Sequence, residues 1–140
     1  MRLILAGLAG TLLLSACGST PSAEETLAQN CTTTFGDDAE FFDQFIRDSR
    51  LDSIETFCDC YASNVATSET LLAIHQTSLT ALLDARGDGS ADVQQEARAV
   101  FGRIDNGELE GLTRQQFDDV GEYLEDIGQG LSETGTCPTL

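Results

Sequence analysis

Apolar side chains recur every three or four residues along most of the chain after residue 24. This spacing places them on one face of an α-helix, whereas a half-buried β-strand shows strict alternation of apolar and polar residues. No alternation extends over six residues in this part of the chain, which argues against a sheet. The sequence therefore predicts an all-α fold, a small bundle of four to five amphipathic helices.

Capping residues and helix breakers set the expected helix limits in the first half of the chain. We predict a short helix over 24–30, a helix that begins at Asp37–Asp38 and a helix over about 51–65. Ser68 is expected to cap the next helix. The Gly-Asp-Gly run at 87–89 should end that helix, because glycine terminates helices readily.

The second half of the chain has similar signals. Ser90 is expected to cap a helix, and Thr113 with Gln116 matches the capping box in which two residues satisfy each other's backbone N–H groups. We expect Gly128 and Gly130 to fray the end of the last helix. The remaining residues should form a tail.

The first sixteen residues differ from the rest of the chain. Arg2 and the amino terminus supply positive charge, and Leu3–Leu14 carries none. Twelve helical residues would rise ~18 Å, which is too short for the ~30 Å hydrocarbon core of a bilayer. This length is typical of the apolar core of a secretory signal peptide.

The apolar run ends in Leu14-Ser15-Ala16-Cys17, which resembles the lipobox of bacterial lipoproteins at all four positions. The resemblance implies cleavage before Cys17, diacylglycerol on its sulfur and acylation of the new amino terminus. An ordinary signal peptide cut after Ala16 is the alternative. We therefore expect a signal peptide over 1–16, a lipidated flexible tether over 17–23 and an acidic helical domain over 24–140, with no cofactor besides the lipid on Cys17.

The residue after the lipidated cysteine and the net charge bear on location and partners. In Gram-negative sorting an Asp at that position retains a lipoprotein in the inner membrane. Gly18 stands there instead, so the chain resembles the outer-membrane class, facing the periplasm. All 24 acidic residues follow residue 16, and the formal net charge is −17. Such a surface repels nucleic acid, so we expect no nucleic-acid partner.

Four cysteines remain after Cys17, and an even number in an exported domain indicates two disulfides. Cys58 and Cys60 are two residues apart on a helix and point ~200° from each other, so each needs a distant partner. Pairing Cys31 with Cys58 and Cys60 with Cys137 is preferred, and the exchanged pairing stays open. A redox-active Cys58-Asp59-Cys60 pair and a zinc site are less favoured alternatives.

The segment from Asp84 to Gln95 resembles a degenerate calcium loop. Its candidate ligands are Asp84, Asp88, Ser90 and Asp92, with Gly89 at the turn. Arg86 stands where a ligand oxygen belongs, and Gln95 replaces the closing glutamate of the pattern. We therefore favour an acidic helix–loop–helix turn and predict no metal site.

No catalytic constellation is evident in the sequence. His75 is the only histidine and lies on an apolar stripe, where we expect a structural residue with one hydrogen bond. The expected function is non-enzymatic, in a structural role or in contact with an envelope protein, and the Phe41, Phe42 and Phe45 cluster is the candidate contact patch. A divalent-cation or small-ligand binding module and an envelope enzyme are the alternatives.

Overall fold

A computed structural model describes residues 20–38, 40, 53–87, 89 and 91–140. In these residues the chain forms five α-helices and no strand, which confirms the all-α prediction. The predicted helix that carries Phe41, Phe42 and Phe45 lies outside the described residues. The helices are α1 (Ala23–Gly36), α2 (Ile54–Val65), α3 (Glu69–Arg86), α4 (Val93–Asp105) and α5 (Arg114–Thr134).

Each of the five helices begins at a side chain that accepts a backbone N–H of the first turn. Ser68 caps α3, and Thr113 forms the predicted capping box with Gln116 at the start of α5. The cap predicted at Ser90 is wrong: Asp92 caps α4, accepting the Gln95 N–H at 2.9 Å. A carboxylate suits this position because it also meets the positive end of the helix dipole.

Helix α1 is longer than the sequence indicated. It is capped by Ser22, which forms a capping box with Glu25, and it continues to Gly36 instead of ending near residue 30. The helix therefore begins inside the segment expected to be a tether. Its second half carries buried Cys31 and Phe35 and contributes to the core of the bundle.

The core lies where α1 packs on α2 and α3, with α5 closing the other side of α2 and α3. Helix α4 packs mainly on α3. The centre is built from large side chains with almost no exposed surface, so the periodic apolar faces of the sequence meet one another. These side chains are Leu27, Phe57, Tyr61, Val65, Leu79, Val100 and Ile127.

The glycines near the end of α5 do not fray it, so that expectation was wrong. The helix continues through Gly128 and Gly130 to Thr134, and Gly135 ends it in the left-handed conformation at φ 69°. Gly130 serves a packing purpose instead. A Cβ built on it would lie 2.6 Å from Cγ of Pro138, so the tail packs directly on the bare backbone of the helix.

Alanine substitutions at Gly130 and Gly121 should have opposite effects on stability. Gly121 lies in the same helix, and a Cβ there meets nothing within 4 Å. Gly121→Ala should raise the free energy of unfolding by up to ~1 kcal/mol through helix propensity. Gly130→Ala should lower it by about 1–3 kcal/mol because Pro138 must move. Urea unfolding of both variants checks this, and a stabilising effect at both positions would contradict the packing argument.

Candidate functional site

Two disulfides join the helices. Cys31–Cys58 links α1 to α2 and Cys60–Cys137 links α2 to the tail, each with 5.6 Å between Cα atoms. This confirms the preferred pairing. Because all four sulfurs are bonded to distant partners, Cys58 and Cys60 do not form a redox pair and no thiolate is left among them for zinc. The bonds indicate an oxidising compartment outside the cytoplasm.

Asn64 holds the tail that the second disulfide brings to α2. Its Nδ2 donates to the carbonyl oxygen of Pro138 at 3.0 Å and lies 3.2 Å from Sγ of Cys137. Its Oδ1 accepts the Leu140 N–H at 3.1 Å. The carboxyl-terminal tail is therefore held against this end of the bundle by these hydrogen bonds as well as by the disulfide expected from sequence.

The residues of the predicted acidic turn are only partly brought together. Asp84 lies exposed in the last turn of α3, the side chain of Asp92 accepts the Gln95 N–H, and Asp88 and Ser90 lie outside the described residues. Among the residues that the structure describes, no group of three or more His, Cys, Asp or Glu side chains could hold a metal ion.

Arg86 stands where the calcium-loop pattern requires a ligand oxygen. In the structure its side chain connects its own helix, α3, with α1 and α4. Its guanidinium bonds Glu96 of α4 through Nε at 2.6 Å and through Nη2 at 3.3 Å. It also donates to the carbonyl oxygens of Thr33 and Thr34 at the end of α1, at 3.0 and 2.6 Å. Glu96 is only 4% exposed. Arg86 thus donates to carbonyl oxygens at the end of α1 that have no partner within the helix, and the role of the Arg86–Glu96 pair is structural.

His75 lies in a buried aromatic cluster between α2, α3 and α5. Its Nδ1 shares a 2.6 Å hydrogen bond with the Tyr61 hydroxyl, and the Tyr123 ring packs edge-on against it with 5.0 Å between centroids. The single hydrogen bond expected for His75 is present, and the residue is only 2% exposed. Burial lowers the pKa of His75 to about 4, which keeps the ring neutral, and raises the pKa of Tyr61.

This cluster should make the protein acid-sensitive. The unfolded chain protonates His75 near its ordinary pKa of ~6.5, whereas the folded chain does so only near a pKa of about 4. Between these values the unfolded state binds more protons, so stability falls as the pH drops through this window and levels off below it. The loss amounts to about 3 kcal/mol.

A His75→Gln variant provides the measurement. Glutamine keeps a hydrogen-bonding group opposite Tyr61 but does not titrate. The free energy of unfolding should fall less between pH 7 and pH 4 in the variant than in the wild type, while the acidic side chains contribute equally to both. An identical pH dependence in the two proteins would show that His75 does not carry the effect.

An open groove of about 580 Å³ lies between α4 and α5. The Phe101 and Phe117 rings pack edge-to-face at 5.0 Å along it, one from each helix. Its mouth carries the polar side chains Gln94, Asp118 and Glu125. The other lining residues, apart from Gly121, are apolar: Phe35, Leu82, Val93, Ala97, Phe101, Phe117, Val120 and Leu124. Clefts of this size and lining are typical of ligand sites.

Sequence reasoning missed this groove. It placed the candidate contact patch at Phe41, Phe42 and Phe45, which lie outside the described residues, as does Cys17.

No helix in the described part of the chain is both long and apolar enough to cross a membrane. Comparison of the chain with protein-family models, with curated proteins and with solved structures gave no match.

Proposed function

We propose that this chain is a bacterial lipoprotein, anchored through Cys17 in the outer membrane and facing the periplasm, where its helical domain acts by binding and not by catalysis. The observation that carries the proposal is the lipobox at 14–17 followed by a domain whose other four cysteines are paired. A disulfide-bonded domain requires export. The lipobox supplies the route and the anchor.

The chain between anchor and domain is short. Cys17 precedes the first residue of α1 by six residues, which span about 20 Å when fully extended. The domain therefore works close to the membrane surface. Its negative charge disfavours contact with anionic headgroups, so an acyl anchor is the reasonable means of attachment. The first function that we propose for the anchored domain is contact with another envelope protein or a structural role in the envelope.

A second function is favoured by the groove between α4 and α5. Its volume and apolar lining suit the binding of a small ligand, and a purely structural role would not require such a groove. Binding of such a ligand is compatible with the anchor, because most of the lining residues belong to α4 and α5, whereas the anchor precedes α1.

Labelling with radioactive palmitate tests the anchor. The wild-type protein should take up label and sediment with the outer membrane, and Cys17→Ser should lose the label. Gly18→Asp is the matched control: it should keep the label and move the protein to the inner membrane. Unchanged labelling of Cys17→Ser, or full-length protein in the cytosolic fraction, would overturn the proposal.

A further inference from the structure

We infer that the groove between α4 and α5 binds a small amphipathic cation, whose apolar or aromatic body enters the groove while one positively charged nitrogen stays at the mouth. This inference rests on the ligand-binding function proposed above and not on the lipid anchor.

The interior of the groove determines the body of the ligand. Two helices contribute walls of aliphatic and aromatic side chains, with the Phe101–Phe117 pair along them. An apolar body that enters removes these side chains and its own surface from water, which is favourable in proportion to the area covered. A polar body would leave its hydrogen-bonding groups unmatched against this lining.

The mouth determines the charge. Asp118, Gly121 and Glu125 are spaced three and four residues apart, so they share one face of α5, and all three line the groove. The two carboxylates are separated by about 10 Å along the helix axis. Gly121 leaves open space between them, since a Cβ there meets nothing within 4 Å. A cation over Gly121 can therefore interact with both carboxylates.

Arg114 acts electrostatically on Asp118 at the mouth, but no Arg or His among the described residues enters the groove. Arg114, one turn before Asp118, bonds Asp105 at 2.6 Å and stacks on the Phe101 ring with 4.4 Å to its centroid. Arg98 is exposed and is not among the lining residues. The formal charge of −17 adds a general attraction for cations.

Three probes with the same apolar body test the inference: phenylbutylamine, phenylbutanol and phenylbutyrate. Isothermal titration calorimetry measures their affinities for the purified full chain. Lipidated protein is embedded in nanodiscs of uncharged lipid, and titration of each probe into empty nanodiscs is the blank. The amine should bind about tenfold more tightly than the alcohol, equivalent to about 1.4 kcal/mol. The acid should bind most weakly. High salt should reduce the advantage of the amine.

Two variants separate charge from shape. Asp118→Asn with Glu125→Gln should abolish the preference for the amine and leave the affinity of the alcohol unchanged. Gly121→Leu should fill the groove and weaken all three probes while the thermal midpoint does not fall. Equal affinity for the three probes, no heat from the amine at millimolar concentration, or an amine preference that survives loss of both carboxylates would overturn the inference. Palmitate labelling is unaffected by any of these results.

Discussion

Replacing Cys31 and Cys58 together by alanine should lower the free energy of unfolding by at least 3 kcal/mol. The bond closes a loop with a sequence separation of 27 residues, and restricting the unfolded chain by such a loop contributes ~3.5 kcal/mol in the loop-entropy model. Both sulfurs are fully buried, so their loss also leaves a small cavity in the core. Replacing both residues avoids a free thiol that could exchange with Cys60 or Cys137.

Equilibrium unfolding in urea measures this effect. The dependence of the unfolding free energy on urea should become steeper, because the unfolded chain without the cross-link exposes more surface. The double variant Cys60→Ala with Cys137→Ala provides the comparison. The bond that it removes has a larger sequence separation, 77 residues, but joins α2 to the exposed tail. A loss below 1 kcal/mol for the Cys31 and Cys58 variant would show that the bond does not brace the fold.

The second large effect is expected at the buried ion pair. Glu96→Ala should destabilise the protein by about 1.5–3 kcal/mol, because Arg86 would lose its closest charged hydrogen-bond partner and keep only the more distant Asp37, at 3.6 Å. The Arg86 side chain is only 12% exposed. Glu96→Gln should cost less, since the amide oxygen still accepts one hydrogen bond from the guanidinium.

The surface pair between Arg114 and Asp105 is the matched control. Its guanidinium also contacts a carboxylate at 2.6 Å, but both side chains are more than half exposed. Asp105→Ala should therefore cost much less than Glu96→Ala. Thermal or urea unfolding compares the two variants directly. Similar losses at Glu96 and Asp105 would contradict the importance of burial at the Arg86–Glu96 pair.

Local signals made much of this fold predictable from sequence. Helix starts depend on one side chain and the first turn, so the caps at Ser68 and Thr113 were found correctly. Helix geometry excluded a bond between Cys58 and Cys60, because residues two apart on a helix point in opposite directions, and the two cysteines do bond different partners. It did not decide which of them bonds Cys31 and which bonds Cys137. These arguments need only helix geometry.

Features that depend on packing between distant segments were missed. The hydrogen bond between Tyr61 and His75 joins two helices that are separate in sequence. Gly130 was interpreted as a helix breaker because the residues around it in the sequence do not indicate that Pro138 packs on it. The groove arises from space between α4 and α5 that no local pattern encodes, although Gly121 at its mouth was visible as a glycine within a helical repeat.

Mass spectrometry of the protein isolated from its own cells, after alkylation of free thiols, tests the central claim of export most directly. We predict a chain that begins at an acylated Cys17, carries no alkyl group before reduction and gains four after reduction. A chain that still begins at Met1 and is alkylated without reduction at Cys31, Cys58, Cys60 and Cys137 would contradict export, the disulfides and the anchor together.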